Sequence, residues 1–265
     1  MTYSNFPKLF YGNVHKAVDF VRITKYFKEN GYVTCYVSEY CGKDNTRTKH
    51  NLTQEEMYDH QLLLCDPNKA GVNDATKRCL YGELNTQKLY SYINQFWRKY
   101  PNNRKFSVIV INDAHENTLE PIKYSDQVVY NFLNSLYNDN LLKNSAVFLV
   151  SDHGSPIPGL YYLYEFFRIE IRLPMLYMII NDRKNVDYNQ QYSNIYENQQ
   201  TFITAYDIYN TLGNILYGDN YINIPNKTNH TDTAKSPLGK SLFDKIDKKK
   251  RKPRAYRDIA THICK

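Results

Sequence analysis

Two short stretches combine carboxylate and imidazole side chains at a spacing that could do chemistry. One is Asp152-His153-Gly154; the other is Asp113-Ala114-His115, with Glu116 beside it. Consecutive side chains leaving a strand point different ways unless the backbone turns, and the glycine permits that turn. A carboxylate oxygen and an imidazole nitrogen can then converge on one divalent cation. The alternative for Asp152 and His153 is a plain turn, with the Asp capping the next segment and the His on the surface. Asp113 and His115 could bind metal, protonate a leaving group or hydrogen-bond a tetrahedral oxyanion. Their alternative is a polar loop start, with His115 capping the following helix. His230 and the remaining histidines read as solvated or partly packed. No Gly-x-Ser-x-Gly elbow, phosphate-cradling glycine loop or dinucleotide fingerprint is present.

The elements around these clusters have a consistent order. Val14–Asn30 has apolar residues at helical spacing and is ended by Gly31. Tyr32–Val37 follows as a β-branched and aromatic strand. Residues 41–85 are mostly polar and loop-like, with a weak helix over Gln54–Leu64. Thr86–Tyr100 predicts a helix with Leu89, Tyr90, Ile93, Phe96 and Trp97 on one face. Phe106–Ile111 is an apolar strand running straight into Asp113, and Ser125–Leu142 is an amphipathic helix. Ala146–Val150 is a second continuous strand and runs into Asp152. Leu173–Ile180 adds a strand and Phe202–Tyr217 a helix. Alternating helices and strands that are apolar on both faces predict an α/β fold, three layers deep, with a mostly parallel central sheet. In such sheets polar chemistry gathers beyond the carboxyl ends of the strands. Both clusters lie there.

The 265 residues include 42% hydrophobic and 15% aromatic side chains, enough for a core and too many for wholesale disorder. The longest apolar runs fall well short of the ~18 residues of a membrane span, and the first residues have no secretory signal pattern. Of the +7 formal charge, six units sit in Lys248–Lys250, Arg251, Lys252 and Arg254, leaving +1 elsewhere. That run reads best as solvated, because no broad basic face accompanies it and nucleic acid is not an expected partner. The five cysteines contain no C-x-x-C pair, so they allow two disulfides and a spare thiol, or a reduced set. The abundance of Tyr, Asn and Lys matches A/T-rich codon usage and carries no function.

Several segments, taken in order, resemble the sulfatase-like branch of the alkaline phosphatase superfamily, and within it an uncharacterised eukaryotic family. They are Phe27-Lys-Glu-Asn-Gly-Tyr-Val-Thr-Cys-Tyr36, Val108–Asn112 with His115, and the helix from Ser125 to Leu142 followed by Asn144–Gly154. Glu170-Ile-Arg-Leu-Pro-Met-Leu176, Asn198–Leu212, Gly239-Lys-Ser-Leu-Phe243 and His262-Ile-Cys264 complete the set. The resemblance covers roughly residues 20 to 265 and implies a metal-dependent hydrolase of sulfate or phosphate esters. It implies Asp152 and His153 as metal ligands, with Asp113 a further candidate. It also implies His115 as the catalytic residue contacting the ester oxygens or leaving group. The mixed oxygen and nitrogen donors suit zinc or manganese better than calcium. The implied substrate is a small-molecule, glycan or lipid ester, and relatives of this kind are generally secretory.

The departures are equally specific. In the superfamily a strand ending in a metal-binding Asp, and then a Ser, Thr or modified Cys nucleophile, precede the glycine-tyrosine-valine strand. Here only about thirty residues do so, and they read as a helix. Ser155-Pro156 follows Asp-His-Gly where the family usually places an arginine. The expectation is therefore a partial sulfatase-like domain over residues 1–246 with a basic tail over 247–265. It lacks its amino-terminal strand and nucleophile segment, and has little or no turnover as an isolated chain. The competing expectation is a non-catalytic binding protein that kept the scaffold.

Overall fold

A computed structural model of the protein describes residues 23–39, 58–64, 79–113, 120–151, 153–154, 163–170, 174–180, 188–225 and 233–251. His115 and Asp152 lie outside these residues. So do the first part of the helix expected from Val14 and the start of the one expected from Gln54. The chain divides into two compact units, one of residues 27–147 and 155–171, the other of residues 1–26, 148–154 and 172–265.

In the first unit, α1 (Ile23–Glu29, which crosses the division) leads through Gly31 into β1 (Val33–Ser38). Gly31 has φ +79°, a left-handed conformation suited to the residue that ends a helix. β1 is the middle of a three-stranded sheet, flanked by β2 (His60–Leu63) and β5 (Lys105–Val110). Both pairings are parallel, with Cys35 opposite His60 on one side and Ser107 on the other. The apolar strands therefore formed the α/β arrangement their composition predicts. The weak helix expected over Gln54–Leu64 is corrected by β2. Its His60-Gln-Leu-Leu63 run is too short for two helical turns and satisfies its backbone by pairing with β1.

Helix α2 (Asn85–Lys99) buries Leu89, Tyr90, Ile93 and Phe96, the stripe read from the sequence. Leu89, Ile93 and Phe96 pack on Cys35, Val37 and Ile109, which share one face of the sheet. Burial of each such side chain is worth about 1.5–3 kcal/mol. On the same side, the Trp97 indole donates to Ser107 Oγ at 3.0 Å. Phe106 faces the opposite way and stacks on Phe27 of α1, ring centroids 4.0 Å apart. Helices thus cover both faces of this sheet. α3 (Glu120–Asn138) lies against α2 through Tyr90–Phe132 ring packing and the Asn94–Ser135 hydrogen bond. It starts earlier and stops sooner than the predicted Ser125–Leu142. Asn140 and Asn144 take positive φ there, which ends the helix before β6 (Ala146–Val150).

Before α2 comes a hairpin invisible to sequence pattern, β3 (Cys79–Leu80) and β4 (Glu83–Leu84). Its tip is Tyr81-Gly82, with φ +54° and +81°. A two-residue hairpin of this type needs positive φ at both tip positions and favours Asn-Gly. Tyr81 accepts the strain of a bulky residue there, on the order of 1 kcal/mol or more. The unit also contains α4 (Glu165–Glu170).

In the second unit, β6 (which crosses the division) and β7 (Leu176–Ile180) pair, and the amide of Ser151 donates to the Met175 carbonyl. Two helices follow, α5 (Tyr188–Asn198) and α6 (Ala205–Tyr217), the latter continued by a 3-10 turn over Gly218–Asn223. α6 is buried on nearly every side. Asp207 in its first turn is fully buried, and its carboxylate receives five hydrogen bonds. Two come from Thr204, one from the Lys240 amide and two from Arg251, at 2.6 and 3.0 Å. The basic run is therefore not uniformly solvated. Lys248–Lys250 are exposed, but Arg251 is drawn onto Asp207, because a buried carboxylate needs a counter-charge. Among the described residues no helix is long and apolar enough to cross a membrane.

Candidate functional site

Residues just past the carboxyl ends of β1 and β5 converge in the first unit. Glu39 follows β1 directly, and its amide donates to the Val110 carbonyl, extending the ladder by one residue. Glu39 Oε2 in turn accepts from the backbone N–H of Asn112, at 3.1 Å. Glu39 Oε1 accepts from the Thr86 hydroxyl at 2.9 Å, and Asp113 Oδ2 lies 2.5 Å from the same hydroxyl. Ser125 Oγ, on α3, donates to Asp113 Oδ2 at 2.5 Å. Parallel pairing of β1 and β5 sets the two carboxylates side by side, and the start of α2 supplies the hydroxyl between them.

Thr86 has one hydroxyl hydrogen, so it can donate to only one of its two acid neighbours at a time. The pair keeps a surplus of negative charge in a place where Thr86 and Ser125 are both buried. That charge is felt by Tyr90, one helical turn along α2. Its phenol is pushed up to about 12, first by burial and then by the negative charges of Glu39 and Asp113. Both hydroxyl bonds to Asp113 fall on Oδ2, so the carboxylate is held in one orientation without engaging Oδ1. A held carboxylate of this kind is what the outer shell of a metal site provides.

In the second unit, His153 Nδ1 lies 2.6 Å from the Gly154 carbonyl oxygen. A carbonyl oxygen only accepts, so Nδ1 carries the hydrogen in this contact, which leaves Nε2 as the ring nitrogen able to ligate a metal. Among the described residues, no three His, Cys, Asp or Glu side chains stand close enough to hold a metal ion. Of the residues expected to form the site, the structure describes Asp113 and His153, each by its own surroundings.

Glu39, Thr86 and Ser125 are not among the residues singled out from sequence. Glu39 had a usable signal, since it is the first residue after an apolar strand whose carboxyl end should face the site. Thr86 and Ser125 had none, because a helix-start Thr and a mid-helix Ser are ordinary in sequence.

Residues 17–265 match the model of a family described as "Protein of unknown function (DUF229)". The chain belongs to this family. The match spans the whole of the stretch whose ordered segments resemble a sulfatase-like family of unknown function. No curated protein sequence matches the chain. Two of the solved structures similar to this DUF229 chain are as follows. One is a protein in the alkaline phosphatase superfamily from Vibrio parahaemolyticus, 13% identical, with a TM-score of 0.47. The match covers 77% of this chain and 49% of that one. The other is the lipoteichoic acid synthase LtaP from Listeria monocytogenes, 14% identical, with a TM-score of 0.44. That match covers 69% of this chain and 55% of LtaP. The chain spans about half the length of these two proteins.

Proposed function

We propose that this DUF229 chain carries a sulfatase-like, metal-dependent hydrolase domain for sulfate or phosphate esters. The observation that carries the reading is the meeting of Glu39 and Asp113 on the Thr86 hydroxyl, past the carboxyl ends of adjacent parallel strands. Open α/β sheets place their ligands at that edge. Asp113, Asp152 and His153 would hold a divalent cation, zinc or manganese in preference to calcium, given the mixed oxygen and nitrogen donors. When bound, the metal supplies Lewis-acid polarisation of ester oxygens and a lowered pKa for a hydroxyl nucleophile. The chain's own part is to orient. Ser125 and Thr86 fix the Asp113 carboxylate, the Gly154 carbonyl fixes the His153 tautomer, and His115 would contact the ester oxygens or protonate the leaving group.

The hydrolytic domain would run over residues 1–246, with the basic segment 247–265 following it, and the protein would act on small-molecule, glycan or lipid esters in the secretory pathway or outside the cell. The Ser155-Pro156 departure favours a second reading, in which the scaffold binds such esters without cleaving them. Thermal melting of the full chain tests the shared claim of metal binding, since a ligand that binds only the folded state raises Tm. Zinc and manganese should raise it more than calcium does, and Asp113→Asn should shrink the shift. Equal or absent shifts for all three cations would contradict the ligand assignment.

A further inference from the structure

Tyr81, at the tip of the β3–β4 hairpin, is unexplained by the fold. It holds a left-handed backbone, φ +54°, which a bulky side chain adopts only under strain. It gains nothing in return from packing, because it is 92% exposed. Compositional bias does not account for it either. Asn is as freely supplied by the same codon bias and is the residue this turn prefers.

The ring does have one organised neighbour. The Lys88 ammonium stands 5.3 Å from the ring centroid and 3.5 Å from the Glu83 carboxylate on the hairpin's return strand. Lys88 lies on α2, half a turn from Thr86, so it ties the hairpin tip to the helix end that carries the acid-bracketed hydroxyl. Thr86 lies five positions on from Tyr81, at full extension at most ~18 Å away. An aromatic ring and an ammonium thus stand together at the exposed tip that leads into α2, with Lys88 over one ring face and the other face open.

We infer that Tyr81 is a stacking platform for the carrier part of the ester, a sugar ring, with Lys88 receiving the sugar's anionic sulfate or phosphate group. The inference deepens the proposed function and rests on it for the substrate class. A flat aromatic face fits the C–H face of a pyranose, and a flexible ammonium pairs with an anionic ester without demanding one geometry.

Calorimetric binding of the full chain to a sulfated tetrasaccharide, its desulfated counterpart and a phosphorylated oligosaccharide of equal length tests this. The wild type should bind at least one anionic sugar at least tenfold more tightly than the neutral one, and which one identifies the ester. Tyr81→Gly should weaken that binding about tenfold while leaving Tm unchanged or raised, since glycine relieves the strain; Tyr81→Phe should retain it. Lys88→Met should abolish the preference for the charged sugar. Wild-type binding to none of the three, or Tyr81→Gly binding as the wild type does, overturns the inference. Metal uptake separates the two claims. Cation binding with Tyr81-independent sugar affinity sinks only the platform, and Tyr81-dependent affinity without cation binding sinks only the hydrolase reading.

Discussion

Asp59 ties the amino-terminal side of the sheet together through Thr34 and Lys28. Its Oδ2 accepts from the Thr34 amide at 2.8 Å and the Thr34 hydroxyl at 2.9 Å, and its Oδ1 pairs with Lys28 at 3.0 Å. The Asp59 amide returns a bond to the Thr34 carbonyl. Burial alone would raise the carboxyl's pKa, but the Thr34 bonds and Lys28 outweigh it and hold it below the ordinary value. A depressed folded-state pKa stabilises the fold above the unfolded value of ~3.9 and ceases to do so as pH falls through the folded-state value. Urea midpoints should therefore favour the wild type over Asp59→Asn at neutral pH, with the gap closing on acidification. A gap that stays constant with pH would show that Asp59 acts through packing alone. The Asp207–Arg251 pair is buried much more deeply. Arg251→Met leaves a fully buried carboxylate without its cation, and urea unfolding should register a loss of about 3 kcal/mol. A loss below about 1 kcal/mol, the usual limit for surface pairs, would show that Arg251 is solvated after all.

The elements that sequence made legible are those whose periodicity survives burial. α2 forms within a residue of its predicted ends because Leu89, Ile93 and Phe96 recur at helical spacing and meet a continuous apolar strand face. β1, β5 and β6 were visible as short apolar runs. The β3–β4 hairpin was not, because its strands are two residues each and its tip lacks the Asn-Gly that marks such turns. α5 escaped too, being rich in Asn, Gln and Tyr. Its hold on the fold comes from amides, with Asn198 Nδ2 donating to the Leu242 and Asp244 carbonyls and its Oδ1 accepting from Ile246. The Gly239-Lys-Ser-Leu-Phe segment has a reason at this scale. A Cβ on Gly239 would sit 2.3 Å from the Tyr206 carbonyl oxygen and 2.9 Å from the Asp207 nitrogen. Those are backbone atoms of α6 and cannot swing aside. Gly239→Ala should thus cost about 1–3 kcal/mol or more, whereas Lys248→Ala, on an exposed residue nearby, should stay within about 0.5 kcal/mol. Chemical denaturation of the two variants side by side decides the matter, and equal midpoints would contradict this packing.

At the scale of the whole molecule, the candidate site is built from contacts that cross the sequence. The rule that sheets collect polar groups past their carboxyl ends led from sequence to Asp113, and the structure adds Glu39, Thr86 and Ser125 around it. Those partners come from sequence positions up to 86 residues apart, so only the folded register of β1 against β5 could reveal them. Charge shows the same limit. Composition located a basic run, but only the folded chain separates Arg251, committed to Asp207, from exposed Lys248–Lys250. Buried Cys35, whose thiol burial pushes up to about 12, and exposed Cys79 are both free, so neither contributes to a disulfide framework. The account stands or falls on whether this scaffold grips a cation. Isothermal titration of zinc and manganese into the full chain and into His153→Ala measures that directly. The prediction is saturable uptake by the wild type and at least tenfold weaker uptake by the variant; identical isotherms for the two would contradict it.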